Sequence, residues 1–298
     1  MENPKTIFSL PAKSTEFIPH RQTMLLVDEL LEFDDGKIKA TATIKKDNPF
    51  LTRSGSLSRN CLVEIMAQTV ASGNGYHARV KGETVKTGFL VGVNDFTFYE
   101  DVAAGDKLTI LTNEESSFGE FSIVEGSINK GNNLAAKGSL KVFEIPGAPE
   151  KTVDETPSIE KDKGKIGKKI PLNNKSPFFK AISESSADFS IGVCKEEAGA
   201  SFLFNEAFPG FTGHFPDFPI LPGVVMMETV MVLAEALSRE DLKIVNISKA
   251  KFSKQSYPGD HLRGEISMAF VKDHWQISAR LSCNGSPVSS LLLNAVSG

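Results

Sequence analysis

One histidine of this chain sits in a loop that reads as built around it. In Gly213-His214-Phe215-Pro216-Asp217-Phe218-Pro219-Ile220-Leu221-Pro222-Gly223-Val224, a glycine permits close backbone approach beside the imidazole. Pro219 and Pro222 then fix the path of the chain into an apolar helix. An imidazole titrates near neutral pH, so a histidine held in this way is suited to taking and giving protons. Two glutamates occupy surroundings that a surface glutamate avoids: Glu64 lies among Cys61, Leu62, Val63, Ile65 and Met66, and Glu228 lies within the run Val224 to Met231. A buried carboxylate is costly, so each is expected to have a partner or a task. Gln68 follows Glu64 by one helical turn and shares its face. His77, His261 and His274 have no metal-ligand spacing, and no metal site is expected.

These groups need elements to hold them. Two apolar helices are expected, Leu57 to about Val80 and Pro222 to about Leu237, the second apolar almost all round except at Glu228, as in a helix surrounded by protein. Gly73-Asn74-Gly75 is expected to fray or kink the first helix rather than bind phosphate. Alternating strands are expected at Lys37 to Ile44, Lys107 to Thr112 and Gly138 to Ile145, and again at Ala187 to Val193, Ser201 to Phe204, Leu262 to Phe270, Trp275 to Leu281 and Ser290 to Ala295. An internal repeat aligns Phe98 to Gly105-Asp106 with Phe252 to Gly259-Asp260, each a strand, a turn and a strand. The fold class is therefore α+β, twice over: a bent antiparallel sheet around one helix, duplicated as a pseudo-dimer. The expected boundaries are residues 1–145, a Pro/Gly-rich charged linker over 146–176, and residues 177–298.

The chain has 298 residues with 40% apolar and 23% charged residues, an ordinary globular composition. Its 33 Lys+Arg against 37 Asp+Glu, a net charge of −4, exclude the broad basic surface that nucleic acid or anionic lipid would need. Three widely spaced cysteines, Cys61, Cys194 and Cys283, without a CxxC pair, argue against a disulfide framework or zinc knuckle. Neither a secretory leader nor a membrane-length apolar run is recognisable, and a cytoplasmic protein is expected.

The Gly213-to-Val224 segment closely resembles the (3R)-hydroxyacyl-acyl-carrier-protein dehydratases, hotdog-fold enzymes whose motif runs Gly-His-Phe-Pro-x-x-Pro-x-x-Pro-Gly with an acid on the next helix. The first half is similar at Ile18-Pro19-His20-Arg21, Leu25-Leu26-Val27-Asp28 and Glu64-Ile65-Met66-Ala67-Gln68. It looks most like the dehydratase-related subunits of aryl polyene pathways. The resemblance implies a double hotdog that removes water from 3-hydroxyacyl groups carried on the phosphopantetheine of acyl carrier protein. It implies no metal or redox cofactor, no nucleic-acid or membrane partner, and a pseudo-dimer open to further homo-oligomerisation. At the position of His20-Arg21 it implies a structural tie.

In that family, one protomer supplies the histidine and its partner the helix acid. Transferred here, His214 and the amides of Gly223 and Val224, as base and oxyanion hole, meet Glu64 as acid, with Gln68 in support. The second pairing is degenerate. Glu228 remains, but Val232 stands where the family often has glutamine, and counting back from Glu64 by the spacing of His214 to Glu228 gives Phe50. One composite active site is expected. Two other readings share the fold, a hotdog thioesterase and a non-catalytic acyl-binding partner of a synthase. The thioesterases lack the His-Phe-Pro and Pro-Gly signature.

Overall fold

The computed structural model describes residues 9–146, 168–171 and 175–298. Most of the expected linker lies outside the described residues. The first half comprises β1 (Ala12–Lys13), β2 (Glu29–Asp34), β3 (Lys37–Thr43), α1 (Asn60–Lys81), β4 (Lys86–Phe98), β5 (Lys107–Phe118), β6 (Phe121–Lys130) and β7 (Asn133–Pro146). In the second half follow α2 (Pro177–Glu184), β8 (Ser186–Ile191), β9 (Glu197–Leu203), α3 (Gly223–Ser238), β10 (Leu242–Phe252), β11 (His261–Val271), β12 (His274–Cys283) and β13 (Ser286–Ser297).

The strands form because alternate residues are apolar and face one side. Ile38, Ala40 and Ala42 of β3 point inward, as do Leu262, Ile266 and Met268 of β11. All pairings between the strands are antiparallel, in the order β1-β2-β3-β5-β6-β7-β4-β10-β13-β12-β11-β9-β8. Apart from β1, which has no counterpart, that order is a palindrome of two like sheets, joined where β4 meets β10 through pairs such as Phe96 with Ile247 and Val93 with Ala250. Each sheet wraps one central helix: α1 packs on β2 to β7, and α3 on β9 to β12. This is the hotdog arrangement, present twice. The two helices also touch each other, and one apolar core runs through both halves.

The repeated turns are chemically alike. Asp106 accepts a hydrogen bond from the Ala103 N–H over 2.8 Å, and Asp260 accepts one from the Tyr257 N–H over 2.7 Å. Gly105 and Gly259 hold φ of +93° and +85°, where a side chain would be strained.

Two local expectations are corrected. Helix α1 runs unbroken through Gly73 and Gly75 to Lys81. Its glycines are places of close approach: a Cβ at Gly75 would lie 2.3 Å from the Phe17 carbonyl oxygen, and one at Gly73 2.4 Å from an Ile38 methyl. Helix α2 was not anticipated. Ser176 caps it by accepting from the Phe179 N–H, Pro177 occupies its first turn, and Phe178 stacks on Phe50 with ring centroids 4.2 Å apart. Among the described residues no helix is long and apolar enough to cross a membrane, and all three cysteines are free.

Candidate active site

His214 lies in the loop between β9 and α3, and this loop is clasped to the first half by backbone. The Arg21 N–H donates to the Gly213 carbonyl over 3.0 Å. Gly213 has φ +88°, and any Cβ there would fall 2.0 Å from the Arg21 carbonyl oxygen, so glycine is required for the contact. The Arg21 guanidinium in turn holds the carbonyls of Thr15, Ile18 and His20. The imidazole of His214 is 7% exposed as part of its residue and stacks on Phe215 with centroids 4.5 Å apart. Its Nδ1 is 3.1 Å from the Ile220 carbonyl oxygen. A carbonyl can only accept, so Nδ1 carries the hydrogen and Nε2 keeps its lone pair. Burial lowers the His214 pKa below the ordinary histidine value, against the opposing pull of Glu64 and of the Ile220 carbonyl. The ring is thus held as a neutral base.

Glu64 projects from α1, with Gln68 one turn further on. The Gln68 amide nitrogen donates to Glu64 Oε1 over 2.9 Å and to the Met24 carbonyl over 2.7 Å, while its oxygen accepts from the Leu26 N–H over 3.0 Å. Gln68 therefore fixes one oxygen of the carboxyl to the backbone that precedes β2. A His214 nitrogen, a Glu64 oxygen and a His20 nitrogen all lie within 4.8 Å of one another. His214 and Glu64, 150 positions apart in sequence, come together. The same trio could hold a metal ion, with two imidazoles and one carboxylate as donors.

His20 is part of this cluster, which its reading as a tie did not include. Its Nε2 is 3.7 Å from Glu64 Oε1, and its ring lies 5.2 Å from that of His214. Burial, then the nearby His214 and Arg21, hold its pKa well below the ordinary value. The signal available was local: His20 follows Phe17 and Ile18, both apolar and both buried, so the segment runs inward.

The cluster stands at the polar end of a cavity of about 330 Å³. Gly223, the first residue of α3, lines it, and its N–H precedes the first full turn, where no carbonyl of the helix can take it. Val224 is wholly buried behind it. The apolar wall comes from both halves, with Phe89, Leu90 and Val142 on one side and Met226 and Phe252 on the other.

Residues 12–154 match the family described as ApeP-like, ApeP dehydratase, and residues 192–290 the family described as ApeI-like, ApeI dehydratase. A 3-hydroxyacyl-[acyl-carrier-protein] dehydratase FabZ of Clostridium perfringens is 36% identical over 112 residues, which cover 32% of this chain and 77% of that protein. The chain belongs to the 3-hydroxyacyl-[acyl-carrier-protein] dehydratase family. A FabZ of Streptococcus mutans is 29% identical over 133 residues, covering 43% of the present dehydratase and 93% of the relative. Among solved structures, the dehydratase domain of PpsC from Mycobacterium tuberculosis in complex with C12:1-CoA superposes with a TM-score of 0.55. It is 12% identical and covers 90% of this dehydratase and 97% of that chain, a likeness of fold. An acyl-ACP thioesterase from Bacteroides thetaiotaomicron shares the fold at a TM-score of 0.53 and 14% identity, covering 87% of this dehydratase and 98% of that chain.

The two residues of the expected second pairing, Glu228 and Phe50, are not among those that line the first cavity. Glu228 of α3 is 1% exposed and accepts a short hydrogen bond from the Ser58 hydroxyl. Burial drives its carboxyl up to about 7, against the pull of Ser58, Lys175 and Asn60. Phe50, which the sequence spacing aligns with His214, is buried and stacks on Phe178. Val232 is buried and offers no hydrogen bond to Glu228, unlike Gln68 to Glu64.

Proposed function

We propose that this dehydratase acts on (3R)-3-hydroxyacyl groups carried on the phosphopantetheine arm of acyl carrier protein, at a single composite site built by both halves. The observation that supports it most is the convergence of the His214 ring and the Glu64 carboxyl, from opposite halves, at the end of one apolar cavity. The substrate would enter with its thioester oxygen at the Gly223 and Val224 amides, where the start of α3 favours negative charge. His214 Nε2 removes the proton from C2, and the electron pair of that C–H bond becomes the C2–C3 double bond as the C3–O bond breaks. The carboxyl of Glu64 gives its proton to the departing hydroxyl, which leaves as water. The products are a trans-2-enoyl thioester, an imidazolium and a carboxylate. Return of the proton from His214 to Glu64 resets the pair. Loss of water transfers no electrons to an acceptor, so the reaction calls for no redox cofactor.

Residues 1–145 and 177–298 serve as two specialised modules in this scheme, each useless without the other, and a tether over 146–176 keeps their effective concentration high. Incubation of the full chain with a 3-hydroxyacyl carrier protein, followed by enoyl-thioester absorbance and free thiol together, tests the reading. Enoyl formation without thiol release is expected, lost in His214→Ala and Glu64→Gln and kept in Glu228→Gln. Thiol release without the enoyl product, or damage by Glu228→Gln alone, overturns it.

A further inference from the structure

The trio of His20, Glu64 and His214 offers more than a base and an acid. Sequence spacing cannot reveal it as a set of ligands, because its donors come from three segments: the stretch before β2, helix α1 and the loop before α3. All three residues are buried, and one ligand atom from each lies within 4.8 Å of the other two. A zinc ion held at about 2.0–2.2 Å by nitrogen and oxygen sets its ligand atoms about 3.4 Å apart. His20 Nε2 and Glu64 Oε1, 3.7 Å apart, are already close to that spacing. The widest pair has to close by at most about 1.4 Å. Rotation of the rings about their terminal bonds, where the energy wells are broad, covers such a distance.

The groups behind the trio are those a metal site needs. A ligand imidazole is oriented through its other nitrogen, and the Nδ1–H of His214 donates to the Ile220 carbonyl over 3.1 Å, which leaves the Nε2 lone pair free. A ligand carboxylate is itself hydrogen-bonded, and the Gln68 amide donates to Glu64 Oε1 over 2.9 Å. At His20 the Nδ1 atom is buried without a hydrogen-bond partner, a rare condition for a polar atom in a folded protein. Its Nε2 stands beyond hydrogen-bond length from Glu64. All three residues line the cavity of about 330 Å³, so an ion has a path inward and a fourth position open to water. Two imidazoles and one carboxylate favour zinc over magnesium or calcium, which prefer oxygen donors throughout.

We propose that His20, Glu64 and His214 form a zinc site whose occupation shuts the dehydratase reversibly. The ion takes the Nε2 electron pair of His214, so no base is left for the C2 proton. It also holds Glu64 as a carboxylate, so no acid is left for the departing hydroxyl. Ion and acyl group exclude each other from the same end of the cavity, and zinc acts as a competitor of the substrate. The site stands on its geometry, while its effect on turnover rests on the dehydratase reading above.

The test is titration calorimetry of the full chain, freed of metal by a chelator, with Zn²⁺ alone and with Mg²⁺ alone. One Zn²⁺ per chain and no Mg²⁺ are expected. His20→Phe keeps an aromatic ring without a ligand atom, and Glu64→Gln keeps the shape of the side chain; each should weaken Zn²⁺ binding at least tenfold, whereas Glu228→Gln should not. A second measurement needs no variant to fold. Co²⁺ bound to the wild type should show the visible bands of a nitrogen-ligated ion, and S-hexanoyl-4′-phosphopantetheine, a saturated probe that cannot be dehydrated, should displace it. In the dehydration assay Zn²⁺ should raise KM with kcat unchanged, and a chelator should restore the rate. No Zn²⁺ bound, Mg²⁺ bound as tightly, binding undiminished in both His20→Phe and Glu64→Gln, Co²⁺ that the thioester leaves in place, or inhibition confined to kcat overturns the proposal. A chain that dehydrates and binds no Zn²⁺ sinks only the metal site. A chain that binds Zn²⁺ through the trio and never dehydrates upholds the site and sinks the reaction.

Discussion

The Nδ1–H of His214 donates to the Ile220 carbonyl over 3.1 Å. That bond sets the tautomer, and burial sets the charge, so the ring presents an unprotonated Nε2 to the cavity.

Activity should therefore hold to lower pH than an ordinary histidine would permit. The acidic limb of kcat/KM, which reports the free enzyme, should have an apparent pKa below 6.5. The same burial makes the fold acid-sensitive. The unfolded chain protonates His20 and His214 near 6.5 while the folded chain resists, so stability falls as pH drops from about 6.5 through the lowered folded values. A pH–rate profile and urea midpoints between pH 8 and 5 check both. A limb above 6.5 contradicts the neutral-base assignment.

Gly213→Ala should damage the protein far more than a methyl group ordinarily does. The added carbon would lie 2.0 Å from the Arg21 carbonyl oxygen at a φ of +88°, so the histidine loop must pull away from the first half. A loss of about 1–3 kcal/mol of stability is expected. The fall in kcat should exceed tenfold, because the imidazole no longer faces Glu64. Thermal melts and kinetics, together, distinguish this from a silent change.

Gln68→Leu removes three hydrogen bonds at once and leaves the Leu26 N–H and the Met24 carbonyl buried without partners. About 2–4 kcal/mol of stability should be lost. The kcat should fall with it while KM for the acyl substrate changes little, as Gln68 orients Glu64 rather than the acyl chain. A change confined to KM would place Gln68 in substrate binding instead.

Glu228→Gln should stabilise the protein at alkaline pH without harming dehydration. The folded carboxyl titrates near 7 against 4.5 for its ordinary value, so it favours the folded state least once both states are ionised. Stability is highest below about 4.5 and is lost as pH rises through about 7, by on the order of 3 kcal/mol in total. Melting temperatures of wild type and variant should diverge between pH 5 and pH 8.5, the variant higher at the alkaline end.

Much of this architecture was legible in the residues. Alternation located β3, β11 and β12 nearly to their ends, and the Pro/Gly frame of His214 marked it as a candidate base. Helix α2 was hidden because its eight residues follow a Pro- and Lys-rich stretch. The Ser176-Pro177 start, a cap and a first-turn proline, was the signal that could have found it. The glycines of α1 were misread because helix propensity argues for a break, whereas packing against Ile38 and Phe17 leaves no room for any side chain. The approach of His20 to Glu64 depends on contacts between distant segments, which no local pattern encodes.

Strands β4 and β10 complete each other's hydrogen-bond ladders at the centre of the sheet. Separated halves would expose these long edges to any similar edge, themselves included. A twin of the second half would set His214 against Glu228, and a twin of the first half would set Phe50 against Glu64. Covalent continuity therefore acts as a choice of mate: one polypeptide decides which carboxyl the imidazole meets, and excludes the symmetrical couplings that separate subunits could sample.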